Sequence, residues 1–263
     1  MTAVNDSQSH AALAALRWQI ELGADEVIAE LPQNRYEEVA TAPRAKKPAT
    51  FEAPAPIAAA PKEDPAQVAH ALASAAGDLA ALKSAMDRFD RCDLRKGAKS
   101  LVFADGNPAA RVMIVGEAPG RDEDSQGLPF VGRAGQLLDR MFEAIGMARD
   151  SVDATTSLYI TNVLPWRPPQ NRDPSPEEVG MLLPFVKRHI ELVDHDVLVL
   201  MGNHSCQALL GRKGITRLRG NWTEALGRAA LPMFHPAYLL RNAHAKRDAW
   251  HDLLMLQAKL RTS

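Results

Sequence analysis

The sequence contains very little cysteine. Cys92 and Cys206 are the only two among 263 residues, and they stand far apart rather than in a Cys-x-x-Cys pair. This pattern excludes a disulfide framework and a zinc knuckle, so we expect two reduced thiols and no bound metal. Cys206 lies in a helix-patterned segment and is interpreted as a buried structural thiol.

Long apolar runs and phosphate-binding loops are also missing. No segment is an uninterrupted apolar stretch of membrane length, and the first ten residues lack the basic and apolar regions of a secretory signal. We therefore expect a cytoplasmic protein without a membrane partner. The turn Gly116-Glu-Ala-Pro-Gly120 is too short for a dinucleotide-binding glycine motif, and no Gly-Lys-Ser/Thr follows it. The absence of these phosphate-binding motifs disfavours a nucleotide-metabolising hydrolase.

The net charge of −1 hides an uneven distribution along the chain. Residues 1–66 hold 6 Lys+Arg against 10 Asp+Glu, whereas residues 67–263 hold 25 against 22. The C-terminal part is therefore mildly basic. Arg219 and Arg241 belong to basic clusters that could line a phosphate-facing rim, although solvated loops explain such clusters equally well.

Composition divides the chain into two regions. Residues 11–30 have helical apolar spacing and are followed by Pro32, which predicts one amphipathic helix. Residues 32–65 are rich in alanine and proline with few large apolar side chains, which predicts a flexible linker. We therefore assign residues 1–66 to a helix and linker, and residues 67–263 to a compact domain that opens with an alanine-rich helix.

Four short apolar runs in the compact domain alternate with helical segments. This alternation predicts an α/β fold in three layers, α/β/α, with a four-stranded parallel sheet covered on both faces. Ser175-Pro-Glu-Glu178 fits the start of a helix, with a capping box and a proline at the first position, and Pro184 should bend or interrupt it. The runs are Arg111–Val115, Leu158–Val163, Asp196–Met201 and Leu231–Phe234.

Polar or small residues end three of these strands, and the carboxyl edge of a parallel sheet is where such folds bind ligands. Gly116 begins a turn that exposes backbone N–H groups. Asn162 offers a donor and an acceptor together, which matches the edge of uracil, although a strand-end asparagine often bonds its own backbone. His235 could donate to a departing base, or it could be structural. Phe130, in a loop bounded by glycine and proline, could stack on a base or belong to the core.

Five motifs together resemble family 4 uracil-DNA glycosylases, from about Phe89 to the C-terminus. They occur in the family's order, with nearly its spacing. The motifs are Gly116-Glu-Ala-Pro-Gly120, Leu128-Pro-Phe-Val-Gly-Arg-Ala-Gly135, Thr161-Asn162, Arg167-Pro-Pro-Gln-Asn-Arg172 and His235-Pro-Ala-Tyr-Leu-Leu-Arg-Asn242.

The resemblance implies a monomeric, monofunctional glycosylase of base excision repair. Such an enzyme flips deoxyuridine out of single- or double-stranded DNA and hydrolyses its N-glycosidic bond, leaving an abasic site. By the same resemblance Phe130 stacks on uracil and Asn162 reads its polar edge. The backbone of Gly116 to Ala118 and the side chain of His235 stabilise the leaving uracil anion.

The residue that activates the attacking water is less clear from the motifs, because Ala118 cannot orient a water. We expect Glu117 and Asn171 to contribute, with Glu123 a weaker candidate. No lysine in the motifs is placed as a Schiff-base nucleophile, so no lyase step is expected.

The resemblance fails at a metal cluster. Family members usually bind [4Fe–4S] through four cysteines, and here Cys92 alone is kept. Phe89 and Trp166 stand at two other positions and Leu182 or Leu183 near the fourth. One thiolate cannot hold the cluster, so we expect no cofactor and apolar packing in its place, unless Trp166 faces DNA.

The last motif suggests how DNA is held open. Leu239 or Leu240 could wedge into the base stack while Arg241 meets a phosphate, although both leucines could equally be core residues. A different class of function also stays open, namely a non-catalytic module that binds uracil or abasic sites in DNA. In such a module, the loss of the cluster would have accompanied the loss of catalytic turnover.

Overall fold

The computed structural model describes residues 13–18 and 64–262. It divides the chain into two units, Met1–Ala59 and Ala60–Ser263. In the first unit, residues 13–18 form a short exposed helix, α1. The rest of the predicted N-terminal helix and nearly all of the predicted linker lie outside the described residues.

The second unit is built on a six-stranded mixed sheet with the order β1-β3-β2-β4-β6-β5. The four central strands are parallel and correspond to the four predicted apolar runs. Two short strands, β1 and β5, pair antiparallel at the edges and extend the predicted sheet from four strands to six. The strands are β1 (Asp105–Gly106), β2 (Val112–Gly116), β3 (Leu158–Asn162), β4 (Val197–Met201), β5 (Thr223–Ala225) and β6 (Arg228–Met233).

Helices connect the parallel strands and follow the last one. Short 3₁₀ turns occupy Pro169–Asn171 and Ala243–Ala245. The helices are α2 (Pro65–Ala75), α3 (Leu79–Arg88), α4 (Leu94–Gly97), α5 (Arg121–Gln126), α6 (Arg133–Glu143), α7 (Pro176–Leu192), α8 (Gly202–Leu210), α9 (Ile215–Leu218), α10 (Pro236–Arg241) and α11 (Lys246–Thr262).

Alternate residues of the central strands enter two separate cores. On β2, Met113 and Val115 pack into a core that includes residues of α2, α3 and α7. Val112 and Ile114 pack on the opposite face with residues of α6 and α11, such as Phe142. Because strand side chains alternate in direction, one sheet serves both cores. The predicted three-layer α/β/α architecture is therefore confirmed.

Local capping chemistry explains where several helices begin. The Ser175 side chain accepts from the Glu178 backbone N–H at 3.2 Å, and the Glu178 carboxylate accepts from the Ser175 N–H at 2.8 Å, which is the predicted capping box of α7. Helix α7 continues through Pro184, so the interruption considered there does not occur. The alanine-rich leader forms two helices, α2 and α3, with Gly77 and Asp78 between them. The side chain of Asp78 accepts from the Ala81 N–H at 2.7 Å and starts α3.

Helix α2 also bears on the boundary between the predicted regions. It begins at Pro65, and the Asp64 side chain caps it by accepting from the Ala66 N–H at 3.0 Å. A boundary between residues 66 and 67 therefore falls inside the first turn of this helix. Asp64 is a better starting point for the compact unit, because it keeps the cap.

Candidate active site at the carboxyl edge of the sheet

The carboxyl ends of the parallel strands surround one cavity of about 430 Å³. Gly116 and Asn162 end β2 and β3 in direct register, and His235 follows β6 as the N-cap of α10. The cavity thus collects side chains from distant parts of the sequence, as the position of the motifs predicted. Its lining includes Glu117, Ala118, Phe130, Asn162, Asn171, His235 and Arg241.

Gly116 allows the other parts of the site to approach one another. A Cβ atom at this position would lie 2.3 Å from Asn162 Oδ1 and 2.6 Å from two ring carbons of Phe130. Any side chain would therefore displace both groups. The absence of a side chain at Gly116 lets a carboxamide and an aromatic ring meet over bare backbone.

Asn162 supplies an unused acceptor inside this slot. The residue is only 5% exposed, and its Oδ1 atom has no hydrogen-bond partner among the described residues. Leaving a buried polar atom unpaired costs about 1–3 kcal/mol. The alternative in which this side chain bonds its own backbone is therefore not supported for the oxygen, and a ligand N–H would satisfy it.

Phe130 and His235 form a second wall. Their rings stack with centroids 5.4 Å apart and an interplanar angle of 29°. Phe130 is 5% exposed, yet it still lines the cavity. The core and the stacking interpretations are therefore compatible, because its ring packs with the second core and also borders the cavity.

His235 is held as a neutral donor. Its Nδ1 atom accepts a hydrogen bond of 3.1 Å from the Ala237 backbone N–H, so the proton of the neutral ring is on Nε2. Burial lowers the pKa of His235 to about 4, and the nearby charges of Arg241 and His204 act in the same direction. At neutral pH the ring is uncharged and keeps one N–H available.

Glu117 is one of three carboxylates that line the cavity, and the structure shows a partner for it that sequence reasoning missed. His204 Nε2 lies 3.7 Å from a Glu117 oxygen and 3.8 Å from a carboxylate oxygen of Asp173. Burial raises the pKa of Glu117, His204 opposes that rise and Asp173 adds to it. His204 follows β4 on the first turn of α8. Its position after a parallel strand was a signal that could have identified it.

Asn171 lies in the cavity wall, but its oxygen already has a partner. Arg167 Nε donates to Asn171 Oδ1 at 2.7 Å, and the backbone of Asn171 has a φ of 54°. The amide nitrogen of Asn171 is a donor, and the residue lines the cavity. Asn171 can therefore orient a water but cannot take its proton.

The carboxylate oxygens of Glu123 already accept hydrogen bonds from backbone N–H groups. Its carboxylate accepts from the N–H groups of Gly120 at 3.1 Å, Val131 at 3.0 Å and Gly132 at 2.9 Å. These contacts tie the Gly116 turn to the loop that carries Phe130. They give Glu123 a structural role and weaken its candidacy as the carboxylate that faces the sugar.

The structure separates the candidate DNA contacts. Leu239 is 1% exposed and belongs to the core, whereas Leu240 is 40% exposed. Arg241 is exposed and lines the cavity. Arg219 instead forms an ion pair with the buried carboxylate of Asp252 and donates to the Asp248 carbonyl at 2.8 Å. Leu239 and Arg219 are therefore engaged within the fold, and Leu240 and Arg241 are the accessible pair.

Comparison with known proteins decides the family. The sequence profile described as "Uracil DNA glycosylase superfamily" matches residues 103–254, which is more than half of the chain. The chain belongs to the uracil-DNA glycosylase superfamily. The matched range contains all five motifs on which the resemblance was based.

Several relatives are named type-4 uracil-DNA glycosylases. A type-4 uracil-DNA glycosylase of Thermotoga maritima is 42% identical over 154 residues, covering 57% of this chain and 77% of the relative. One from Archaeoglobus fulgidus is 41% identical over 171 residues, covering 62% and 83%. One from Pyrobaculum aerophilum is 35% identical over 193 residues, covering 68% and 92%. The similarity thus extends beyond the matched profile.

The four positions linked to a [4Fe–4S] cluster do not fit that group in this member of the superfamily. Phe89 and Cys92 are each 1% exposed, Trp166 is 2% exposed and Leu182 is fully buried, all in one apolar core. Phe89 also meets the Phe185 ring edge to face at 5.4 Å between centroids. Three apolar side chains supply no ligand for iron, and burial raises the pKa of the single thiol. The expected apolar packing is present, and Trp166 is buried within it.

Among the described residues, no helix combines the length and the apolar character that a membrane crossing requires.

Proposed function

We propose that this chain is a uracil-DNA glycosylase that removes uracil from DNA by hydrolysing the N-glycosidic bond and leaves an abasic site. Membership of the superfamily and the names of the type-4 relatives support the reaction. The observation that carries the substrate assignment is the unpaired Asn162 oxygen, buried beside bare Gly116 backbone and the Phe130 ring. That slot suits one flat base carrying an N–H group.

Base recognition follows from the polarity of the Asn162 carboxamide. Its oxygen accepts from uracil N3–H, and its nitrogen donates to O4. Cytosine presents an acceptor at N3 and a donor at the 4-position, so both contacts become mismatched and buried polar groups lose their partners. Phe130 stacks on the flipped base, which a duplex would otherwise keep out of reach.

Bond cleavage leaves negative charge on uracil and positive charge on the sugar. The neutral His235 ring donates its Nε2–H to the O2 atom of the leaving base, together with the backbone of Gly116 to Ala118. Loss of one such donor typically costs about 2.7–4 kcal/mol of transition-state stabilisation. A donor that is already neutral and fixed by the Ala237 N–H needs no reorganisation as the charge develops.

The sugar side is served by Glu117 and Asn171. The ionised Glu117 carboxylate offsets the charge on the oxocarbenium-like sugar, and Asn171 orients the attacking water. As the water oxygen bonds to the sugar, the proton that it releases passes to the Glu117 carboxylate. The described lining of the cavity includes no lysine, which supports a monofunctional hydrolysis without a Schiff-base step. Ala118 leaves space for the water beside Glu117 but offers it no polar contact.

DNA binding is proposed to use the rim of the same cavity. Leu240 enters the gap left by the flipped nucleotide, and Arg241 contacts a phosphate. The substrate is proposed to be uracil in single- or double-stranded DNA, and the enzyme is proposed to act as a cytoplasmic monomer. These finer statements rest on the motifs and on the exposure of the two side chains.

The reaction is tested with labelled oligonucleotides containing U:G, U:A, single-stranded U or T:G, followed by alkaline cleavage of abasic sites. We expect strand breaks from the uracil substrates in the wild-type protein. Absence of breaks from all of them would reject the enzyme, and tight retention without cleavage would instead indicate a binding module.

The substitution Asn162→Asp tests the base-reading role in the same assay. A carboxylate cannot donate to O4, so uracil excision should fall by about 5- to 150-fold, corresponding to about 1–3 kcal/mol. Asn107→Asp is the matched control, because Asn107 lies outside the cavity and its Oδ1 already accepts a backbone N–H from Ala109 at 2.9 Å. Equal excision by both variants would show that Asn162 does not read the base.

A further inference from the structure

The ring that stacks on the base is carried by a strained backbone. Phe130 has a φ of 54°, in the left-handed region that non-glycine residues rarely adopt. Such a conformation persists only where surrounding contacts enforce it. The position of the ring over the slot therefore depends on whatever holds the backbone of residues 129–132.

Arg149 holds the carbonyl side of this backbone. Its Nη1 donates to the Pro129 carbonyl at 2.9 Å and its Nη2 to the Phe130 carbonyl at 2.8 Å. One carbonyl precedes the Phe130 Cα atom and the other follows it, so the flat guanidinium fixes the backbone on both sides of that atom. Arg149 lies between α6 and β3 in sequence, outside the five motifs.

Two carboxylates fix the guanidinium itself. Nε donates to Asp139 Oδ1 at 2.9 Å on α6, and Nη1 donates to Asp105 Oδ2 at 2.8 Å on β1. The Arg149 side chain is 16% exposed, so solvent screens these ion pairs only partly. With four hydrogen bonds to four residues, Arg149 rigidly links the edge strand β1, helix α6 and the loop that carries Phe130.

The opposite side of the loop is also fastened. Glu123 accepts the N–H groups of Val131 and Gly132, and Gly135 brings the start of α6 so close that a Cβ there would lie 1.7 Å from the Phe130 carbonyl oxygen. The carbonyls of Pro129 and Phe130 are thus held by a cation, and the N–H groups of the two residues after Phe130 are held by an anion. Loss of the cation would free the carbonyls to rotate and let φ relax.

We propose that Arg149 is a positioning residue for uracil excision, which sets the Phe130 ring at the height and tilt needed to stack on the flipped base. Arg149 itself does not touch the substrate. This inference rests on the proposed function, since it explains the hydrogen bonds of Arg149 by the placement of the proposed stacking residue, Phe130. Lysine cannot replace it, because one ammonium group cannot reach two carbonyls and two carboxylates in the plane of a guanidinium.

The test is a double-mutant cycle of Arg149→Ala and Phe130→Ala on the full chain, with kcat/KM for single-stranded uracil DNA as one readout and the thermal unfolding midpoint as the other. Each single variant should lose about 5- to 150-fold in kcat/KM, the range given by lost base–aromatic stacking. The double variant should lose no more than about 2-fold beyond Phe130→Ala, because Arg149 acts through that ring. A merely structural role predicts losses that multiply.

Two further variants complete the design. Arg149→Lys keeps the charge and should still lose activity, whereas Arg140→Lys, an exposed position on α6, should behave as wild type. Should Arg149→Ala fail to fold, the cycle is run with Arg149→Lys. The proposal would be overturned by wild-type activity in Arg149→Lys. It would also be overturned if the losses in kcat/KM of the two single variants multiplied in the double variant. Wild-type protein without uracil excision would instead reject the function on which it rests.

Discussion

At the scale of single residues, the roles in the cavity are separated by which polar atoms already have partners. The Asn162 oxygen is unpaired, whereas the Asn171 oxygen accepts from Arg167. The Glu123 carboxylate accepts from three backbone N–H groups, whereas the contact of Glu117 within the described part of the chain is the longer one to His204. Two asparagines and two glutamates of one cavity are thereby given different chemistry by their surroundings.

Glu117 should give excision an acidic limb that starts above the ordinary range of a glutamate. Burial raises its pKa, His204 opposes this and Asp173 adds to it, and the protonated form cannot offset charge on the sugar. Activity is therefore highest where Glu117 is ionised and falls as the pH drops through its raised pKa. The measurement is kcat/KM from pH 4.5 to 8.

Glu117→Gln should lower the plateau and remove this limb, because a glutamine side chain does not titrate. Glu177→Gln, an exposed change in the first turn of α7, serves as the control and should retain the wild-type profile. An unchanged limb in the Glu117 variant would assign the titration to another group.

At the scale of elements, helix geometry decides between neighbours that look alike in sequence. Consecutive residues of a helix point about 100° apart, so Leu239 faces the core and Leu240 faces solvent on α10. The same sequence therefore contains one packing leucine and one candidate wedge. His235, as N-cap of this helix, fixes where α10 leaves the sheet edge.

Substitution of each leucine by alanine should separate binding from stability. Leu240→Ala should lower excision from duplex DNA more than from single strands, because only a duplex must be held open. It should change the free energy of unfolding by no more than about 0.5 kcal/mol. Leu239→Ala should cost about 2–5 kcal/mol in urea unfolding. A similar loss on both DNA substrates with Leu240→Ala would argue against a wedge.

At the scale of the whole molecule, the two cores share one sheet, and helices α2 and α3 belong to one of these cores. Residues of α2, such as Ala69 and Ala73, lie in the same core as Phe185 of α7. The Arg188 guanidinium donates to the Ala76 carbonyl at 2.9 and 3.0 Å. The leader helices are therefore part of the compact unit, although they precede the residues matched by the family profile.

A chain that starts at Asp64 should keep full excision, because it retains the cap of α2 and every residue of the cavity. A chain that starts at Gly77 should be destabilised, since it removes α2 and the acceptor of Arg188. Thermal unfolding and kcat/KM on single-stranded uracil DNA measure both outcomes. Loss of activity in the longer truncation product would show that residues 1–63 contribute to catalysis.

Much of the fold was predictable because its signals are local. The four parallel strands are largely apolar and mostly buried, and Ser175 with Glu178 encodes a helix start. The edge strand β5 was missed because its hairpin turn is Leu226-Gly227, with Leu226 at a φ of 51°, instead of an Asn-Gly pair. Two-residue β1 is too short to show alternation.

The sequence by itself determined the order of the four parallel strands along the chain and the residues that follow each of them, because burial and capping act over a few neighbouring positions. It also determined the loss of the cluster ligands, since three positions have no thiol. Only the tertiary structure decided that Leu239 is buried and that the Asn162 oxygen has no hydrogen-bond partner among the described residues. It also decided that Arg149 donates hydrogen bonds to the backbone carbonyls before and after the Phe130 Cα atom. Those properties depend on which distant side chains meet, and no local pattern specifies such meetings.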